Sequence, residues 1–134
     1  MTIPQQIETF FASAAFGVAG ASTNPDKFGN KVLRCYLQNG RKVVPINSNE
    51  PEIEGVPCVA SISELPPEVE SISIITPPAV TAKLVPLAIE KGIKNIWMQP
   101  GAEHPDAVAL CLEQGINVIA DGSCLLVVLG YHDH

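Results

Sequence analysis

Short runs rich in β-branched residues alternate with helical patterns along the chain, and this alternation constrains the fold more than any other feature. The runs are 16–20, 42–47, 71–76, 95–99 and 117–121. Several are apolar at consecutive positions, as expected for strands covered on both faces. Between them the apolar residues take helical spacing. Val32, Leu33, Tyr36 and Leu37 mark one face of a helix over 29–38, which Asn39 and Gly40 stop. Val80, Leu84, Leu87 and Ala88 mark a second helix ending at Gly92; Pro86 inside it predicts a kink or a delayed start. Val108 and Leu112 mark a third over 105–115, opened by Pro105. A leading helix is expected over 4–14. Ser61 with Glu64 fits a capping pair on a brief helix, after a strand-like piece at 55–58. The residues after Cys124 fit a short helix or a strand equally well.

Strand and helix repeating about every 25 residues mean parallel strands joined by right-handed crossovers. The expected fold is therefore α/β: a Rossmann-like, doubly wound parallel sheet of five strands or slightly more, with helices on both faces. A length of 134 residues suits one such domain, 1–134. Fourteen acidic residues against 8 basic ones leave a net charge of -6, and Lys and Arg nowhere form a run. That excludes a general nucleic-acid binder, which needs a basic face. The apolar stretch 10–21 is too short to span a bilayer, and no basic residue precedes it as a signal peptide requires.

Cys35, Cys58, Cys111 and Cys124 contain no CxxC pair, so they read as reduced, mostly core cysteines of a cytoplasmic protein. Of the histidines, His104 stands alone, and His132 and His134 fall in a tail expected to be mobile. No Walker loop, nucleophile elbow or metal-ligand spacing is present, so no catalytic residue and no metal site is expected.

Doubly wound sheets bind ligands beyond the carboxyl ends of their strands, which narrows the search to the residues following each strand. After the first come Gly20, Ala21 and Ser22, then Lys27 and Gly29. Small residues let a phosphate approach the backbone, a helix N-terminus attracts it, and Ser22 and Lys27 add a hydroxyl and a charge. The spacing departs from the dinucleotide fingerprint G-x-G-x-x-G. The second strand ends Val44-Pro45-Ile46-Asn47, with Asn47 where an NAD-binding domain places its ribose-binding acid. Pro45 fits either a flat wall for a ligand ring or a strand terminator. Thr76-Pro77-Pro78 follows the third strand as a stiff turn or the rigid edge of a slot, with Pro78 opening the next helix. Gln99 emerges from the fourth strand with a donor and an acceptor to offer, while Trp97 and Met98 alternate faces, so at most one of them meets a ligand. Cys124, after the fifth strand, reads as packing or as an activated thiolate.

Taken together, these stretches resemble the stand-alone CoA-binding domain family, related to the amino-terminal domain of the succinyl-CoA synthetase alpha subunit. The resemblance is carried by Gly20-Ala21-Ser22 with Pro25, Lys27 and Gly29, by Val44-Pro45-Ile46-Asn47, Gly55, Thr76-Pro77-Pro78 and Gly92, and above all by Trp97-Met98-Gln99-Pro100-Gly101 and Cys124. It implies a Rossmann-like domain that binds coenzyme A or an acyl-CoA. Ala19, Gly20, Ala21 and Ser22 would line the phosphate loop and Lys27 would approach a phosphate. Val44, Pro45 and Asn47 would border the adenosine end. Thr76, Pro77, Pro78, Met98 and Gln99 would line the pantetheine path. A missing ribose acid suits CoA, whose 3′-phosphate a carboxylate would repel, and the resemblance implies dependence on that phosphate. The synthetases carry their phosphorylated histidine in a separate domain, so the resemblance implies binding without ligase activity, in a homodimer or beside a partner subunit. Two departures are Ser48, where relatives often have Pro, and Gly122-Ser123, where they often have Arg before the Cys. Two other readings stay open: a small NAD- or NADP-binding oxidoreductase subunit, and a redox module in which Cys124 pairs with the CoA thiol.

Overall fold

A computed structural model describes residues 1–133. In chain order the elements are α1 (Ile3–Phe11), β1 (Ala15–Ala19), α2 (Phe28–Gln38), β2 (Val43–Ile46), β3 (Glu52–Ile53), β4 (Val56–Pro57), a 3-10 turn (Ile62–Glu64), β5 (Val69–Ile74), α3 (Pro78–Lys91), β6 (Asn95–Met98), α4 (Pro105–Glu113), β7 (Asn117–Ile119) and α5 (Leu125–Leu129). Five strands form one sheet in the order β2-β1-β5-β6-β7. Every neighbouring pair in it is parallel. The expected doubly wound α/β fold is thus present, and β3 and β4 form a small antiparallel hairpin outside the sheet. The chain first winds one way, from β1 to β2, then returns past β1 to β5. The order reverses between β1 and β5, and a crevice opens at their carboxyl ends.

Both faces of the sheet are covered, which explains the consecutive apolar residues. One face packs Ile62, Ile72, Ile74, Val85, Ile96 and Cys111 under α3 and α4. The other packs Phe10, Phe16, Leu33, Tyr36, Trp97 and Leu125 under α1, α2 and α5. Phe10 meets Trp97 edge-on at 5.3 Å, a contact contributing roughly 0.5–1.5 kcal/mol beyond area burial. Trp97 and Met98, adjacent on β6, point to opposite faces and are both 0% exposed.

Several local expectations change. The leading helix begins at Ile3 and ends at Phe11, because Thr2 and Gln5 close a reciprocal capping box on its first turn. The Ser61–Glu64 pair is only half made. The Glu64 carboxylate accepts from Ala60 N and Ser61 Oγ, but the Ser61 side chain caps nothing. Pro86 does not delay its helix, since α3 runs unbroken from Pro78, opening with Pro78 as expected. Pro86 is exposed, so water can reach the backbone carbonyl whose hydrogen bond the proline removes. Pro45 terminates nothing: it sits within β2, an edge strand, paired opposite Val18. An edge position tolerates its missing N–H, and Val59 N donates to its carbonyl at 3.0 Å. After Cys124 the chain is helical. The tail beyond α5 is tied to α2 by Gln38 on both backbone groups of His132 and by Asn39 on the Gly130 carbonyl. His134 lies outside the described residues.

Candidate functional site: the carboxyl-end crevice

β1 ends at Ala19, and the chain turns at Gly20 with φ +92°. A side chain there would also drive into the Ile75 carbonyl, so glycine is required twice over. The loop then packs against the start of α2 so closely that a Cβ on Gly29 would strike the Gly20 carbonyl oxygen. Gly29 therefore plays the close-packing part of a third fingerprint glycine, on a longer loop.

Side chains from β2's end and from α2 occupy the loop carbonyls. Asn47 Nδ2 donates to Ala21 O at 3.1 Å, Asn30 Nδ2 to Ser22 O at 2.8 Å and Arg34 Nη2 to Pro25 O at 2.7 Å. Ser22 Oγ accepts from Asn24 N, and Asn24 Oδ1 from Asp26 N, which fixes the return toward the helix. Among the described residues, no partner exists for the N–H groups of Ala21, Ser22, Phe28 and Gly29. Lys27 occupies the N-cap of α2 without capping it, and the first turn holds no acid. These groups border one cleft of about 600 Å³ with Ile75 at its side. A helix N-terminus with unpaired donors and a lysine favours an anion. Asp26 is the opposing charge on the same rim.

Ile75 joins this cleft to a second hollow of about 250 Å³, bordered by Thr76, Pro77, Gln99, Pro100 and Gly101. Ile75 N donates to Ala19 O at 2.9 Å, so the two hollows share a wall at the switch point. Thr76 Oγ1 is bonded to the buried Thr81 hydroxyl at 2.8 Å, and Pro77 and Pro78 are exposed.

The fold gives other expected site residues different work. Gln99 borders the small hollow but is only 3% exposed. Its Oε1 accepts from Leu125 N at 2.8 Å and its Nε2 donates to Cys124 Sγ, so its amide holds the start of α5 instead of standing free for a ligand. Asn47 is likewise engaged, since its Oδ1 accepts from Asn49 N and Glu50 N. Pro45 is buried and offers no open wall, Val44 is half-buried, and Ala19 and Met98 lie in the core. Asn30 was not expected. It is fully buried, with Arg34 Nε donating to its Oδ1 at 2.6 Å. Its signal was a polar residue on the apolar face of α2, three positions before Leu33.

All four cysteines are free. Burial pushes the Cys35 thiol up to about 11, with the nearby Cys124 adding to the effect, and burial pushes Cys111 up to about 11. No cluster of His, Cys, Asp or Glu among the described residues is arranged to hold a metal ion, and no described helix is long and apolar enough to cross a membrane.

Comparison with known proteins agrees with this architecture. Residues 14–129 match the model of a CoA binding domain. The chain is 33% identical over 91 residues to the alpha subunit of an ADP-forming acetate–CoA ligase II from Pyrococcus furiosus, covering 67% of this chain and 20% of that subunit. The chain thus spans about a fifth of that relative's length. The uncharacterized protein YneT of Bacillus subtilis is 24% identical over 109 residues, with 81% of each chain covered. A solved structure of a conserved hypothetical protein from Pyrococcus furiosus superposes with a TM-score of 0.81 at 38% identity, covering 85% of this chain and 97% of that one.

Proposed function

Because this chain belongs to the CoA-binding domain family, we propose that it binds coenzyme A or an acyl-CoA in the carboxyl-end crevice and supplies no chemistry of its own. The observation that carries the reading is the set of unpaired N–H groups at Ala21, Ser22, Phe28 and Gly29, gathered in one cleft with Lys27. A diphosphate would take those donors. The adenosine would extend toward the end of β2, past Val44 and Asn47. The pantetheine arm would run past Ile75 into the hollow edged by Thr76, Pro77 and Pro78. Ala19, Pro45 and Met98, being buried, would support the crevice from beneath, and Gln99 would hold α5 at its far wall. Activity on an acyl group would then fall to a partner subunit. The four free thiols suit a reducing compartment such as the cytoplasm.

The test is thermal shift against CoA, 3′-dephospho-CoA, NAD and NADP, with Ser22→Asp as the control. A ligand at about 100 times its Kd stabilises by roughly 2.7 kcal/mol, or about 10 °C in a domain of this size. The wild type should shift with CoA. The Ser22→Asp variant, which sets a carboxylate among the anion-binding donors, should not. A shift with NAD or NADP alone would overturn the reading in favour of an oxidoreductase subunit.

A further inference from the structure

We propose that Glu54, held by the buried Asn30, senses the ribose end of the bound nucleotide and disfavours a phosphate on it. This inference rests on the CoA reading above and adds a specificity-determining residue to it.

The β3–β4 hairpin closes through the two-residue turn Glu54-Gly55, with Ile53 paired to Val56. Both turn residues have positive φ, +52° and +78°. Such a turn favours Asn, Asp or Gly at its first position. Glu54 is the one non-glycine residue in the left-handed region among those described. Asparagine would relieve that strain, and strain of this kind concentrates at ligand sites.

The Glu54 carboxylate has a defined place. Its Oε2 accepts from Asn30 Nδ2 at 3.2 Å, and the same nitrogen donates to Ser22 O at 2.8 Å. The exposed carboxylate oxygen therefore lies within about 6 Å of the Ser22 carbonyl oxygen in the loop after β1. It stands on the hairpin that follows β2, the side on which doubly wound folds seat the ribose. Asn47, the sequence counterpart of the ribose acid, is spent on the Ala21 carbonyl and its own turn. Among the described residues no cation pairs directly with Glu54: Arg34 reaches the other side of the Asn30 amide, at Oδ1, and both it and Lys31 face Asp133, at 3.5 and 3.8 Å. Lys27 has no side-chain partner among the described residues and is left for the diphosphate.

A ribose with a free 3′-hydroxyl can donate to Glu54, whereas a 3′-phosphate meets a carboxylate. The sequence-level expectation of dependence on the 3′-phosphate assumed that no acid stands at the ribose end. The hairpin brings one there, so in this chain the 3′-phosphate adds little or nothing to affinity.

Calorimetric titration of the wild type, Glu54→Gln and Glu54→Asn with CoA and 3′-dephospho-CoA at low salt tests this. Both substitutions should raise the affinity for CoA relative to dephospho-CoA by roughly 3- to 30-fold, the range expected for two like charges closer than a Debye length near a protein surface. Glu54→Asn should also raise Tm, since Asn suits the turn, which guards against misreading a folding defect. An unchanged ratio in both variants, with both ligands still bound, overturns the role of Glu54 and leaves the CoA reading standing. A wild type that binds neither ligand removes the CoA reading and this inference with it.

Discussion

The two ends of the same sheet treat their polar groups in opposite ways. At the amino end, Ser71, Asn95 and Asn117 stand in register across β5, β6 and β7. Asn117 Nδ2 donates to Asn95 Oδ1, Asn95 Nδ2 to Ser71 Oγ, and Ser71 Oγ to Phe10 O. Gln6 on α1 donates to Asn117 Oδ1 and Val118 O, and accepts from Asn117 Nδ2. This polar ladder bolts α1 across the strand starts, and no buried side-chain polar atom among the described residues lacks a partner. At the carboxyl end, the side chains of Asn30, Arg34 and Asn47 take the loop carbonyls and leave the N–H groups unspent. The amino end has the larger hollow, about 710 Å³, yet its Gln6, Asn95 and Asn117 are already satisfied. On the proposed reading, unpaired donors at a helix N-terminus, not volume, mark the end that binds.

That contrast can be broken most sharply at the amino end. Asn117→Ala leaves Asn95 Oδ1 without its donor, takes one of two acceptors from Gln6 Nε2 and should cost about 2–4 kcal/mol. Tm should fall by roughly 8–15 °C, while the CoA-induced shift of the remaining folded protein persists. If the ligand shift disappears as well, the two ends are not separable. At the carboxyl end the opposite division of effects is expected. Gly29→Ala sets a methyl group against the Gly20 carbonyl and should cost roughly 1–3 kcal/mol in stability, but more than about 10-fold in CoA affinity, because the loop donors move. Equal losses in Tm for Gly29→Ala and Asn117→Ala, with CoA affinity retained, would count against the loop. The smallest effect belongs to Lys27→Gln. An exposed lysine facing a phosphate should contribute about 3- to 5-fold in affinity and nothing measurable to Tm, and raising the salt concentration should erase the difference.

Sequence periodicity made the main architecture legible because it reports which side of an element faces the core. The five main strands, the three crossover helices and the parallel sense follow from residues such as Val32, Leu33 and Tyr36 at helical spacing and Ile96 to Met98 in an unbroken apolar run. The proposed phosphate loop stood out for a similar reason: Gly20, Ser22, Lys27 and Gly29 are all local to one strand–turn–helix. The strands β3 and β4, two residues each, are too short to show a period. The Thr2–Gln5 capping box was a legible signal that the apolar pattern alone did not use.

What the sequence by itself determined, then, is the five main strands, their crossover helices and the winding that sets the carboxyl-end crevice proposed to receive a ligand, because each depends on chemistry within a few residues. Only the tertiary structure decided which polar groups remain free for that ligand. Gln99 reads as a ligand-facing amide until α5, 26 residues on, comes to rest on it. Asn47 reads as a free side chain until the Ala21 loop crosses it. Glu54 is exposed at its hairpin turn, and nothing local to it foretells the bond from Asn30, 24 residues earlier, that holds its carboxylate beside the proposed phosphate loop. A hydrogen bond is satisfied by whichever partner the packed strands bring within about 3 Å, and local spacing carries no record of that choice.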